Sequence, residues 1–112
     1  MARILCLDDS EIMLVGLTGL LEALGHEAVG VDEIAKAEEE LAKNRFDLVI
    51  CDGKIRTQGD GADYAARLAQ QGQKVLICSG HNDNRRPGVP FYSKLFDHRK
   101  IEDVIAELLV TN

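Results

Sequence analysis

Four short apolar runs in this chain each stop at a polar residue that can do chemistry. Arg3-Ile4-Leu5-Cys6-Leu7 stops at Asp8-Asp9, and Phe46-Asp47-Leu48-Val49-Ile50-Cys51 stops at Asp52. Lys74-Val75-Leu76-Ile77-Cys78 stops at Ser79, and Val89-Pro90-Phe91-Tyr92-Ser93 is followed by Lys94. Runs of about five residues between turn formers have the length of strands. If the strands are parallel, their carboxyl ends bring three carboxylates, a hydroxyl and an ammonium to one edge of one sheet. That set can hold a divalent cation and a phosphoryl group together.

The segments between the runs switch to helical spacing. A strand over 3–8 leads to a helix over 11–24, with Ser10 as N-cap, Glu11 in the first turn and Gly25 as the left-handed stop. Met13, Leu17, Leu20, Leu21 and Leu24 form its expected buried stripe. Gly16 and Gly19 each weaken that helix by about 1 kcal/mol relative to Ala, and close packing is one reason to tolerate them. A strand over 27–31 precedes a charged helix over 33–44 with Ile34, Ala37, Leu41 and Ala42 inward. The third strand, 47–51, is apolar on both faces, as a central parallel strand should be. A glycine-containing loop over 53–61 leads to a helix over 62–71 with Tyr64, Ala65, Leu68 and Ala69 inward, ended by Gly72. Strands follow over 74–78 and 89–93. A last helix over 99–110 carries Ile101, Val104, Ile105, Leu108 and Leu109 on one face.

Alternating strands and helices imply right-handed crossovers and a parallel sheet with helices on both faces. Five strands fit the flavodoxin-like doubly wound order 2-1-3-4-5, whose ligand crevice lies at the carboxyl edge of strands 1 and 3. Asp8, Asp9 and Asp52 are the polar residues there. One crossover breaks the pattern. Gly80-His81-Asn82-Asp83-Asn84-Arg85-Arg86-Pro87-Gly88 is too short and too rich in Gly, Asn and Pro for a full helix. A loop or a single helical turn is expected there, without an apolar stripe to fix it and therefore mobile.

A length of 112 residues allows one domain, 1–112, large enough to bury a core without disulfides. A net charge of −6 argues against a nucleic-acid surface, and Arg85-Arg86 is too small a basic cluster to reverse that. No apolar run approaches the ~20 residues that cross a bilayer, and the first run is too short for a signal-peptide core. A cytoplasmic protein without membrane contact is expected. Cys6, Cys51 and Cys78 lie inside strand-like runs, without C-x-x-C spacing. They read as small buried apolar residues in a reducing compartment.

Element for element, the chain resembles the receiver domain of two-component response regulators. The marks of that family are an acidic pair after strand 1, an acceptor Asp after strand 3, a Ser/Thr after strand 4 and a Lys after strand 5. They read here as Asp8-Asp9, Asp52, Ser79 and Lys94. Asp60-Gly61 matches the pair that commonly opens the third helix, and Phe91 falls at the family's switch aromatic. Two positions depart from the pattern: Arg56 stands where Pro is usual after the acceptor, and Leu95 where Pro usually follows the lysine. The short interval from Ser79 to Lys94, with Ser79-Gly80-His81, is similar to receivers in which the fourth helix is reduced. Output would then run through other elements.

The resemblance implies an aspartyl-phosphate on Asp52, formed with Mg2+. Asp9 and Asp52 would bind the cation directly, Asp8 through water, and Lys54 through its backbone carbonyl. Ser79 and Lys94 would contact phosphoryl oxygens. Lys54 and Arg56 would shield the phosphate, with His81 a plain loop residue. Each residue also has an ordinary structural reading: Asp8-Asp9 as a helix cap, Asp52 as a turn former, Ser79-Gly80 as a turn, Lys94 as a surface lysine. Their occurrence together, each at a strand end, favours the site.

Function follows as a stand-alone phosphorylation-switched receiver, which is no enzyme beyond transfer and loss of its own phosphoryl group. Its implied partners are a histidine kinase or phosphotransfer protein and a downstream protein, with a homodimer left open. A competing class is a pseudo-receiver that binds partners without phosphorylation, favoured slightly by Arg56 and Leu95 and opposed by the intact acidic set. A third is a phosphatase resembling the haloacid dehalogenase group. That group carries D-x-D on its first strand, whereas here the strand ends Asp8-Asp9-Ser10.

Overall fold

The computed structural model describes residues 2–55, 61–80, 84–93 and 98–110. Along the chain they form β1 (Arg3–Leu7), α1 (Glu11–Ala23), β2 (Glu27–Val31), α2 (Ile34–Lys43), β3 (Leu48–Asp52), α3 (Gly61–Gln70), β4 (Val75–Ser79), β5 (Phe91–Ser93) and α4 (His98–Val110). The five strands make one parallel sheet in the order β2-β1-β3-β4-β5, the flavodoxin-like order. β3 and β4 are buried at every position, because helices cover both faces.

Alternate residues of the central strands feed two cores. Leu5, Leu7, Val49, Cys51, Val75 and Ile77 pack with Ala37 of α2 and Ala62, Tyr64, Ala65 and Leu68 of α3. Ile4, Cys6, Leu48, Ile50, Leu76 and Cys78 pack with Leu21 of α1 and Ile101 and Ile105 of α4. At the rear of the sheet, the Lys74 ammonium donates to the carbonyl of Leu108 at 2.6 Å, a cation at the C-terminal end of α4.

Both ends of α1 and the C-terminal end of α3 follow the expected chemistry. Ser10 caps α1 by accepting from the Met13 amide, and Gly25 turns the chain at φ +92°. His26 N then donates to Leu21 O, closing the cap. Gly72 ends α3 in the same way at φ +91°.

Two packing expectations need correction, and the two glycines of α1 find their setting. Leu24 is 41% exposed, because it is the C-cap of α1 and has already left the buried stripe. Ala42 is exposed, leaving Ala37 as the buried residue of α2 with Ile34 and Leu41 beside it. A Cβ on Gly16 or Gly19 would meet nothing within 4 Å, so close packing does not explain either glycine.

No α-helix occurs between β4 and β5 among the described residues, in line with the composition of that segment. Residues 81–83 lie outside the described residues. The expected lack of an apolar stripe leaves residues 84–86 held by polar contacts. Asn84 is buried and donates to Ser79, Arg85 stacks on Phe91, and Arg86 pairs with Asp63.

Candidate functional site

The carboxyl ends of β1 and β3 lie side by side, with Leu7 paired to Cys51. One residue further on, the chain supplies Asp8 and Asp52. Asp8, Asp9 and Asp52 each place a carboxylate oxygen within 4.8 Å of the others. Asp8 and Asp52 are buried, at 6% and 7% exposure, and Asp9 is half-buried.

The local backbone explains this placement. Asp8 N donates to Val31 O at 3.1 Å, which holds the end of β1 against β2. Asp8 Oδ1 accepts from Ser10 N at 2.9 Å. Ser10 is the N-cap of α1, and Asp8 braces the turn before it. Asp52 is the last residue of β3, and its Oδ1 accepts from the Lys54 amide at 3.4 Å. Lys54 itself is exposed at the rim.

Ser79 ends β4 at 2% exposure, one residue beyond Cys78, the register partner of Asp52. Its Oγ accepts from Asn84 Nδ2 at 2.6 Å. Phe91 opens β5, half-buried, with the Arg85 guanidinium 4.3 Å from its ring centroid. Lys94 lies outside the described residues, as do Arg56, Asp60, His81 and Leu95.

Below the acidic edge, a cavity of about 250 Å³ opens between α1 and α4. Ile12, Met13, Gly16, Leu17, Leu20 and Ile101 line it together with Asp8 and Asp52. The carboxylates thus stand between solvent on one side and a nearly pure hydrocarbon wall on the other. Three carboxylates this close repel one another strongly where the wall is of low dielectric. A hard dication accepting their oxygens offsets that repulsion, and an all-oxygen donor set with one or two direct carboxylates suits Mg2+.

The three cysteines are free and buried. Burial, with the nearby Cys78 and Asp8 adding to it, pushes the Cys6 thiol well above its ordinary range. A thiol so held is inert at neutral pH, as their placement in strands suggests.

The family model for the response regulator receiver domain matches residues 4–88, most of the chain. The chain belongs to the response regulator receiver domain family. Among curated protein sequences none matches it. Several solved receivers share its fold. A response regulator receiver protein from Sinorhizobium medicae is 26% identical with a TM-score of 0.83, over 96% of this chain and 94% of that one. The response regulator TrrA of Thermotoga maritima, solved in complex with Mg2+ and BeF, is 20% identical with a TM-score of 0.86, over 96% and 99% of the two chains. A receiver domain from Clostridium thermocellum is 23% identical with a TM-score of 0.85, over 97% and 94%. Receivers of this family belong to two-component signalling and bind Mg2+ at an acidic pocket. No helix among the described residues of this receiver is long and apolar enough to cross a membrane.

One residue of the site escapes sequence reading. Asn84 stands in a polar run whose members all look like solvated loop. Only its distance from Ser79 in the folded chain marks it.

Proposed function

We propose that this receiver takes a phosphoryl group onto Asp52 from a phosphohistidine of a histidine kinase or phosphotransfer protein, and signals by contact with a downstream protein. The observation that carries this reading is the convergence of Asp8, Asp9 and Asp52 within 4.8 Å at adjoining strand ends. A buried hydroxyl, Ser79, stands one strand away.

Asp52 is the nucleophile. One of its carboxylate oxygens bonds to phosphorus as the phosphorus–nitrogen bond to the donor imidazole breaks, and the leaving nitrogen keeps the electron pair. Asp9 and Asp52 would hold Mg2+ directly, Asp8 through water, and Lys54 through its backbone carbonyl. Bound there, the cation supplies neutralisation of charge on the phosphoryl oxygens. Ser79 donates its hydroxyl hydrogen to one phosphoryl oxygen, and Lys94 neutralises another. Phe91, the first residue of β5 and stacked under Arg85, serves as the switch aromatic. The receiver acts on no substrate beyond its own phosphoryl group.

The test is intact mass after incubation with acetyl phosphate and Mg2+. One phosphoryl adduct is expected on the wild type, and none on Asp52→Ala or with a chelator present. An adduct that persists in Asp52→Ala, or that forms equally with chelator, overturns the assignment.

A further inference from the structure

Asn84 is a buried polar side chain in the segment that stands where a helix would normally cross from β4 to β5, at 8% exposure. Its Nδ2 lies 2.6 Å from Ser79 Oγ. Beneath it is Gly53, the residue after Asp52. A Cβ at Gly53 would fall 2.7 Å from Asn84 Cβ and 2.8 Å from Nδ2, so the stack exists because residue 53 has no side chain. Gly53, Asn84 and Ser79 together flank the end of β3 where Asp52 stands.

The direction of the bond matters. An amide nitrogen only donates, so the Ser79 oxygen is the acceptor and its own hydrogen takes no part in this contact. A serine hydroxyl otherwise rotates to suit its surroundings. Engaging one lone pair restricts where the O–H can point. It also polarises the O–H and makes it a better donor, more so in a buried setting.

Neighbouring contacts keep Asn84 in place. The Arg85 guanidinium sits 4.3 Å from the Phe91 ring centroid. Arg86 Nε pairs with Asp63 Oδ1 on α3 at 2.8 Å. Val89 N donates to Arg86 O at 3.1 Å, closing the turn that follows.

We propose that Asn84 is a positioning residue for phosphoryl transfer: it holds Ser79 Oγ as an acceptor and so aims the Ser79 O–H at a phosphoryl oxygen on Asp52. The inference rests on the reading of Asp52 as phosphoacceptor. Asn84 acts through Ser79 and is no ligand of the cation. Charge spreads over the equatorial oxygens in the transition state, both for transfer onto Asp52 and for hydrolysis from it, so a well-aimed donor speeds both.

The experiment uses the full chain, acetyl phosphate and Mg2+, with adduct formation followed by intact mass. Wild type, Asn84→Ala, Asn84→Leu, Ser79→Ala and the double variant Ser79→Ala/Asn84→Ala are compared. Asn84→Leu keeps the branched shape over Gly53 and removes the donor, so it carries the comparison should Asn84→Ala fail to fold. Each Asn84 variant is expected to react roughly fivefold more slowly, the size of one ordinary hydrogen bond. Mg2+ affinity should not change. The double variant should be no slower than Ser79→Ala alone, because with the hydroxyl gone there is nothing left to aim. Asn84 variants that react at the wild-type rate overturn the proposal. So does an Asn84 substitution that slows the Ser79→Ala background by the same factor as the wild type. A wild type that takes no phosphoryl group overturns the reading of Asp52 and this proposal with it.

Discussion

Gly61 lies against the backbone carbonyl oxygen of Asp52: a Cβ on residue 61 would collide with that oxygen, and would sit 3.2 Å from Ile55 Cγ1. Ala62 N donates to Gly53 O at 3.1 Å just beside this contact. The first turn of α3 is thus locked onto the main chain of Asp52 and Gly53. A glycine at position 61 therefore has a physical reason.

Gly61→Ala should therefore displace the Asp52 backbone or tilt the start of α3. Neither neighbour is a flexible side-chain end, so relief requires main-chain movement. Overpacking of this kind typically costs ~1–3 kcal/mol. A lower thermal midpoint is expected together with slower phosphorylation by acetyl phosphate. A variant as stable and as reactive as wild type would show that this contact is easily relaxed.

Asp9→Ala should abolish Mg2+ binding while leaving the fold intact. Asp9 is half-buried at the loop edge and contributes to no apolar core. Its removal takes one charge from a cluster of three carboxylates. Without Mg2+, the variant should melt no lower than wild type, because like charges destabilise one another. Added Mg2+ should raise the wild-type midpoint by ligand linkage and leave the variant's unchanged. A variant midpoint that still climbs with Mg2+ would remove Asp9 from the ligand set.

Most of this fold could be read from the chain because the strands lie between turn residues and α1, α2 and α3 are followed by Gly25, Asn44 and Gly72 near their ends. The doubly buried β3 and β4 are apolar at nearly every position, which only a central parallel strand requires. The three aspartates were legible for the same reason, since a strand's carboxyl end can be located to within a residue. Asn84 was not. Its burial depends on Gly53 lying beneath it and Ser79 beside it, two residues brought there by tertiary packing. The exposure of Leu24 and Ala42 was missed for a related cause: helical spacing locates a stripe but not where the chain leaves the sheet.

Gly16→Ala and Gly19→Ala should each stabilise the receiver by about 1 kcal/mol, the helix-propensity gain of Ala over Gly. Both positions lie inside α1, neither has a positive φ, and a Cβ at either meets nothing within 4 Å. Gly16 lines the apolar cavity below Asp8 and Asp52, so its new methyl would occupy otherwise unfilled space. Urea midpoints with unchanged m-values measure the gain. A loss of stability at Gly16 would show that the wall between α1 and α4 closes more tightly in solution.

Tyr64→Phe tests a polar atom buried without a partner. Tyr64 is 4% exposed on α3, and its hydroxyl has no hydrogen-bond partner among the described residues. Leaving such a group unsatisfied costs about 1–3 kcal/mol, so its removal should raise stability at neutral pH by roughly 1 kcal/mol. A second signature appears in alkali. Burial first, then the charges of Glu38 and Cys51, push the Tyr64 phenol from its ordinary 10.0 up to about 12, with Arg67 opposing. The folded state thus keeps its proton where the unfolded chain has released it. Unfolding is favoured progressively as pH rises from 10.0 towards 12, and the contribution is intact below 10.0. The advantage of Tyr64→Phe over wild type should stay constant from neutral pH to about 10 and then widen. Urea denaturation of both proteins along that pH range measures it. Curves that run parallel into strong alkali would mean that the phenol reaches water in the folded protein.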